Sequence, residues 1–240
     1  VIGLLRNDDA YGHISTPYDL LISKEDYLNN IPKTLFGICD FNGKDAADLG
    51  AGTGRLTTLV ASLAHSVVAV DSAADMLRKT ASKLTDLGLT NWRAVVSDYR
   101  RLPLDDRSVD VVMAGWSICY AGSSNNPGWQ EDIRQVMREI DRVLRPNGTV
   151  IILETLGTGQ ETPMPPEYLL PYYQALEGPY GFQHTAIRTD YRFDSAEQAE
   201  QLCRDFFGDE AGDRIQQEGS AIVPECTGVW WRTKNGEPIV

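Results

Sequence analysis

The sequence predicts an α/β fold in which a doubly wound, mostly parallel sheet carries helices on both faces. Three observations point there. From Lys44 onward, short apolar runs rich in β-branched residues alternate with helical patterns, as successive βαβ units do. A glycine-rich turn, Gly50-Ala51-Gly52-Thr53-Gly54, stands between the first such run and the first helical pattern. Asp48, Asp71 and Asp98 each fall at the end of a separate run, which sets three carboxylates at the carboxyl edge of neighbouring strands.

Asp45–Leu49 reads as the first strand, and a helix follows from about Arg55 to Ala64. Val67–Val70 is the second strand and ends at Asp71, where Ser72 with Asp75 three residues on has the form of a capping box. The helix it opens sets Met76, Leu77, Thr80 and Leu84 on one side and stops near Gly88. Trp92–Val96 and Val109–Met113 read as the third and fourth strands, separated by a polar connection around Leu102-Pro103-Leu104. Asn126 and Pro127 suit an N-cap and a first helical position, ahead of Ile133, Val136, Met137, Ile140, Val143 and Leu144 at helical spacing. Arg145-Pro146-Asn147-Gly148 ends that helix, and Thr149–Leu153 is the fifth strand.

The character then changes. Gly157 to Phe182 is rich in Pro, Gly and Tyr, with a short helix near Glu167–Leu176. Thr185–Phe193 alternates as an extended edge segment, and Ser195 with Gln198 forms a second capping pair before an amphipathic helix over Ala196–Phe207. Thr227–Thr233, aromatic and β-branched, is the last strand.

Composition narrows the function classes. With 22 basic and 34 acidic residues among 240, the net charge is −12, which argues against a nucleic-acid backbone or an anionic membrane as main partner. No apolar run approaches the roughly 20 residues of a membrane-spanning helix. Cys39, Cys119, Cys203 and Cys226 are widely spaced without a C-x-x-C pair, so they read as free thiols in a reducing compartment and no metal site is expected. With no signal-peptide pattern at the start, a cytoplasmic location is the expectation.

The chemistry centres on Asp48-Leu49-Gly50-Ala51-Gly52-Thr53-Gly54-Arg55. Glycines at a strand-to-helix turn let a ligand approach the backbone, and the helix start offers free N–H donors. The dinucleotide fingerprint needs a further glycine where this chain has Arg55. Three convergent carboxylates repel a pyrophosphate but suit a ligand bearing a sulfonium, an ammonium, ribose hydroxyls and an adenine amine.

With these motifs the chain resembles the class I S-adenosylmethionine-dependent methyltransferases, and is similar to their small-molecule branch of ubiquinone and menaquinone biosynthesis. The likeness is firm over about Lys44 to Glu154 and loose elsewhere. It implies a Rossmann-like sheet with a C-terminal antiparallel strand and a lid inserted after the fifth strand. It also implies a single domain, divided into an N-terminal helical cover (1–43), a cofactor-binding core (44–154), a substrate lid (155–193) and a C-terminal helix with strands (194–240). The implied cofactor is S-adenosylmethionine, leaving as S-adenosylhomocysteine. Asp48, Gly50, Ala51, Gly52, Thr53 and Gly54 then cradle its methionine part, Asp71 and Ser72 meet the ribose, and Met76 packs on the adenine. Asp98 and Tyr99 read the adenine amine, Ala114 and Trp116 close over the cofactor, and Tyr18 joins them from the N-terminal cover, with Tyr11 nearby on the acceptor side.

The acceptor is expected to be a neutral or cationic small molecule. After the fourth strand the run is Gly115-Trp116-Ser117-Ile118-Cys119-Tyr120, without the Pro-Pro-Tyr-type motif of the enzymes that methylate DNA bases and protein amides. Tyr120, Tyr172, Tyr173 and Arg188 are candidate acceptor contacts, and His184 is the candidate base, since an imidazole titrates near neutral pH. Each also has a plain structural reading: tyrosines that pack the insert, and a histidine bonded to a backbone carbonyl. Two other functions stay open, a non-catalytic cofactor-binding module and a nicotinamide-dependent oxidoreductase.

Overall fold

The computed structural model describes residues 17–236 and 239. Its strands are β1 (Asp45–Leu49), β2 (Ser66–Asp71), β3 (Trp92–Val96), β4 (Val109–Gly115), β5 (Leu144–Thr158), β6 (Gln183–Arg188), β7 (Tyr191–Arg192), β8 (Ile222–Val223) and β9 (Glu225–Thr233). Seven of them form one sheet in the order β3-β2-β1-β4-β5-β9-β6, while β7 and β8 pair apart. β1 to β5 run parallel, and β9 inserts antiparallel between β5 and β6. The order reverses between β1 and β4, and such a switch point opens a crevice at the carboxyl ends of the strands.

Helices cover both faces because the central strands are apolar on both sides. Ala47, Leu49, Val70, Val112, Ala114 and Ile152 face a core shared with α5 (Cys119–Gly122), α6 (Trp129–Val143) and α7 (Leu170–Glu177). Their neighbours Ala46, Val67, Val111, Met113, Ile151 and Leu153 face the other way. There they meet α2 (Asn30–Ile38), α3 (Arg55–Val60) and Leu84 of α4 (Ala74–Asp86). A smaller cluster joins Leu21, in the helix at 17–24 (α1), to Tyr191, Phe193, Val223, α8 (Ala196–Phe207) and α9 (Asp209–Glu218). Among the described residues no helix is long and apolar enough to cross a membrane.

Several local expectations are corrected. The Ser72–Asp75 capping box does not form: α4 starts at Ala74, and Asp71 Oδ1 instead accepts from Ala73 N–H at 2.8 Å. α6 starts at Trp129, because Asn126 Oδ1 accepts from Gly128 N–H and builds a turn before the helix. α3 ends at Val60, and backbone bonds from Leu63 and Ala64 to the Val60 carbonyl close a turn where the longer helix was expected. β5 starts at Leu144 with Pro146 to Gly148 inside it, and the pairing register with β4 shifts there. Ser195 does cap its helix, its Oγ accepting from Gln198 N–H.

Part of the segment expected as a lid is built into the sheet and the core. β5 continues to Thr158, and α7 turns Tyr172, Tyr173 and Leu176 into the core. Tyr172 is 0% and Tyr173 4% exposed. Two buried acceptors draw their hydroxyls inward: Tyr172 donates to Glu154 Oε1 at 3.4 Å and Tyr173 to the Thr155 carbonyl at 2.8 Å.

Candidate functional site

A cleft lies at the carboxyl ends of β1 and β4. It is lined by Asp48, Gly50–Thr53, Arg55, Leu56, Gly115, Trp116, Tyr18 and Ile22. After Leu49 the chain turns sharply, with Gly50 and Ala51 N–H both bonding the Val70 carbonyl, at 2.8 and 2.9 Å. Gly50 has φ +68°, and a Cβ there would lie 2.3 Å from Ser117 Cβ. The turn therefore needs glycine twice over, for its dihedral and for its neighbour.

Asp48 is buried at the base of this turn and accepts from Thr57 Oγ1 at 2.6 Å. Burial raises its pKa to about 6, with the Asp71 charge adding to the effect. Asp71, at the end of β2, accepts from Gly52 N–H at 2.7 Å through Oδ2 and from Ala73 N–H through Oδ1. Burial raises its pKa too, against those backbone bonds. With backbone donors from Gly52, Ala73 and Ser72 on its two oxygens, Asp71 keeps acceptor capacity for a further donor.

The other walls carry charge and aromatic rings. The Arg55 guanidinium lies 4.2 Å from the Trp116 ring centroid and donates from Nη1 to Glu25 Oε2 at 2.7 Å. Trp116 itself has φ 50°, a left-handed conformation costly for a bulky residue. Its N–H bonds the Leu153 carbonyl at 2.7 Å and its ring lies under Arg55, so the surroundings hold it there. Tyr18 packs edge-to-face on Phe206, and burial pushes its hydroxyl up to about 12.

Other residues read from the sequence lie at varying remove. Ser72 is exposed beyond Asp71, Met76 is buried in α4, and Ala114 is buried at the end of β4. Thr53 is buried beside the cleft, while Gly54 packs on Thr80, where a Cβ would meet Cγ2 at 2.8 Å. Asp98 is exposed and held by Arg100, whose Nε and Nη2 reach both carboxylate oxygens, so its pKa is lowered. Tyr99 is half-buried, its hydroxyl donating to the Ser117 carbonyl at 3.3 Å. Tyr120 is 46% exposed. Arg188 pairs with Asp190 and bonds the Glu161 carbonyl. His184 lies on the outer strand β6, stacked on Trp230 at 4.4 Å with Nδ1 3.6 Å from Glu177, and is not among the residues lining the cleft. Burial lowers its pKa, Glu177 opposing. Tyr11 lies outside the described residues.

Sequence reasoning passed over Glu154. This residue sits in β5 just beyond the level of Gly115, is 0% exposed, and accepts from Cys119 N–H at 2.9 Å through Oε1. Its Oε2 is buried without a partner, and burial raises its pKa to about 8. The available signal was one acid inside an otherwise apolar run, Val150-Ile151-Ile152-Leu153-Glu154. Because the unfolded pKa is near 4.5, the folded protein holds an extra proton at intermediate pH. Its contribution to stability therefore falls as pH rises from about 4.5 to about 8. Glu154→Gln should flatten that fall by up to about 1.4 kcal/mol per pH unit. Thermal melts of both proteins at stepped pH measure it, and parallel curves would show that Glu154 does not hold the proton.

Residues 47–152 match the family model described as a methyltransferase domain. The chain is 31% identical over 156 residues to a demethylmenaquinone methyltransferase of Lactococcus lactis, an alignment covering 62% of this chain and 58% of the relative. The chain thus spans under two thirds of that relative's length. A SAM dependent methyltransferase from Aquifex aeolicus has the same fold, with TM-score 0.58 and 17% identity over 94% of this chain and 97% of that one. The [4+2]-cyclase SpnF shares it too, with TM-score 0.60 and 18% identity over 95% and 94% of the two chains. The fold is thus that of the Rossmann-like class I methyltransferases, with the antiparallel strand expected for it.

The cleft and its glycine turn fit S-adenosylmethionine on their own geometry. A side chain at Gly50 would occupy the turn, Asp71 beside it keeps acceptor capacity for hydroxyls, and the cleft holds the Asp48 carboxylate where a dinucleotide phosphate would need donors.

Proposed function

We propose that this protein transfers a methyl group from S-adenosylmethionine to a small-molecule acceptor by in-line displacement. The observation that carries the reading is the Gly50–Gly54 turn beside Asp71, with its cleft at the switch point between β1 and β4. Bound there, the cofactor supplies an electrophilic methyl on a sulfonium. The chain's own part is alignment and exclusion of water. Asp71 accepts the ribose hydroxyls, the Gly50–Thr53 turn seats the amino-acid end, and Trp116 with Tyr18 walls the cleft. Asp98 reaches the adenine amine only by sharing its oxygens with Arg100. The net charge of −12 disfavours a nucleic-acid acceptor, and the Lactococcus relative is named for a small acceptor.

A second reading has one observation in its favour: the fold is shared with a [4+2]-cyclase, so fold alone does not fix activity. Label transfer decides between them. With S-adenosylmethionine labelled on its methyl group and a small-molecule extract as acceptor source, label should enter the small-molecule fraction with equimolar S-adenosylhomocysteine. Cofactor binding without its turnover, or label confined to protein or nucleic acid, would overturn the proposal.

A further inference from the structure

Next to the cleft, two buried glutamates and a partly exposed arginine, from three parts of the chain, leave buried hydrogen-bonding atoms unused. Glu25 follows α1, Arg55 opens α3 and Glu225 opens β9. Among the described residues, Glu25 Oε1, Arg55 Nη2 and Glu225 Oε2 are buried without a partner. The Glu25 side chain is 2% exposed and Glu225 as a residue 2%. Unmade bonds at such depth are costly.

The three belong to one niche. Arg55 joins Glu25 directly, and Glu225 takes a hydrogen bond from Thr155 Oγ1 at 2.9 Å. After burial, the Glu25 charge is the largest influence on the Glu225 carboxyl, and Arg55 acts on it as well. Tyr191 is buried against the same three charges. Arg55 lines the cleft and joins it to Glu25 behind.

The chemistry of the unused atoms is lopsided. Two carboxyl groups face one guanidinium, and that guanidinium is already neutralised by Glu25. Burial and the Glu25 charge raise the Glu225 pKa to about 8, so the niche holds a proton there, and a cationic hydrogen-bond donor would take that proton's place. A carboxylate or phosphate could use only the Arg55 Nη2 donor and would face two carboxyls.

Resting on the methyl-transfer reading, we propose that Glu25, Arg55 and Glu225 form the receptor for an ammonium group on the acceptor, so that the substrate class is an amine. The cofactor's own amino-acid end carries the same chemistry, and the test separates the two sources.

The probes are sulfonium analogues of S-adenosylhomocysteine whose S-alkyl arm, two to six carbons long, ends in either ammonium or methyl. At one arm length or more, the ammonium end should bind the wild-type protein at least about tenfold tighter than the methyl end. Glu225→Gln should abolish that gain and leave S-adenosylhomocysteine affinity within about twofold. Glu25→Gln gives the same readout if the first variant does not fold, and the wild-type comparison needs no variant. The proposal is overturned if no arm length favours ammonium. It is equally overturned if either folded variant weakens S-adenosylhomocysteine about tenfold, which would assign the niche to the cofactor. Failure of S-adenosylhomocysteine itself to bind would instead strike the methyl-transfer reading.

Discussion

Gly50→Ala should destabilise the protein by about 2–5 kcal/mol, the sum of a left-handed backbone on a residue with a Cβ and of overpacking. The new Cβ would stand 2.3 Å from Ser117 Cβ and 2.7 Å from its Oγ. Ser117 cannot turn aside freely, because its Oγ donates to the Leu49 carbonyl at 2.7 Å. Gly50 cannot move freely either, since its N–H is held by the Val70 carbonyl. For a chain of this size the loss corresponds to a fall in melting temperature of roughly 5–15 °C. Scanning calorimetry measures it, and a melting temperature within about 2 °C of wild type would show that the turn relaxes without cost.

Asp71→Ala should weaken S-adenosylhomocysteine binding about ten- to a hundredfold, from the loss of charge-assisted bonds worth roughly 1.5–3 kcal/mol. Two effects add. In the proposed binding mode the carboxylate meets the ribose, and it also ties Gly52 N–H and Ala73 N–H, fixing the glycine turn to the start of α4. Asp71→Asn keeps one carbonyl acceptor and should lose less. Calorimetric titration of both folded variants tests this, and an unchanged dissociation constant for Asp71→Ala would remove Asp71 from the site.

The core of the fold was legible because its signals are local. β1 and β3 are found at their expected residues, since each is an apolar run bounded by turn residues, and α8 at 196–207 because Ser195 caps it. α9 was passed over: its apolar contacts reduce to Gly212 and Ile215, too few to make a periodic pattern, although Gly208 and Gly219 bracket it. The tyrosines at 172 and 173 read as acceptor contacts because tyrosine joins an apolar ring to a polar tip. Only tertiary structure supplies the buried acceptors, Glu154 and the Thr155 carbonyl, that satisfy those tips.

The site divides the same way. Asp48, Gly50, Asp71 and Trp116 follow from the strand ends and the glycine turn, within some seventy residues of one another in sequence. The pairing of Asp98 with Arg100 was within reach of the sequence, two residues apart, yet its geometry was not. The Glu25–Arg55–Glu225 niche was not legible at all. Its members lie 30 residues apart at the closest, and they are joined by the antiparallel return of β9 and by the helix at 17–24, which no local pattern specifies.

The central claim is that the cleft between β1 and β4 is an S-adenosylmethionine site, and calorimetric titration of the wild-type protein with S-adenosylhomocysteine tests it most directly. The account predicts saturable binding of one S-adenosylhomocysteine per chain and no heat with NAD, whose pyrophosphate would meet Asp48 and Asp71. Saturable binding of NAD with none of S-adenosylhomocysteine would contradict it.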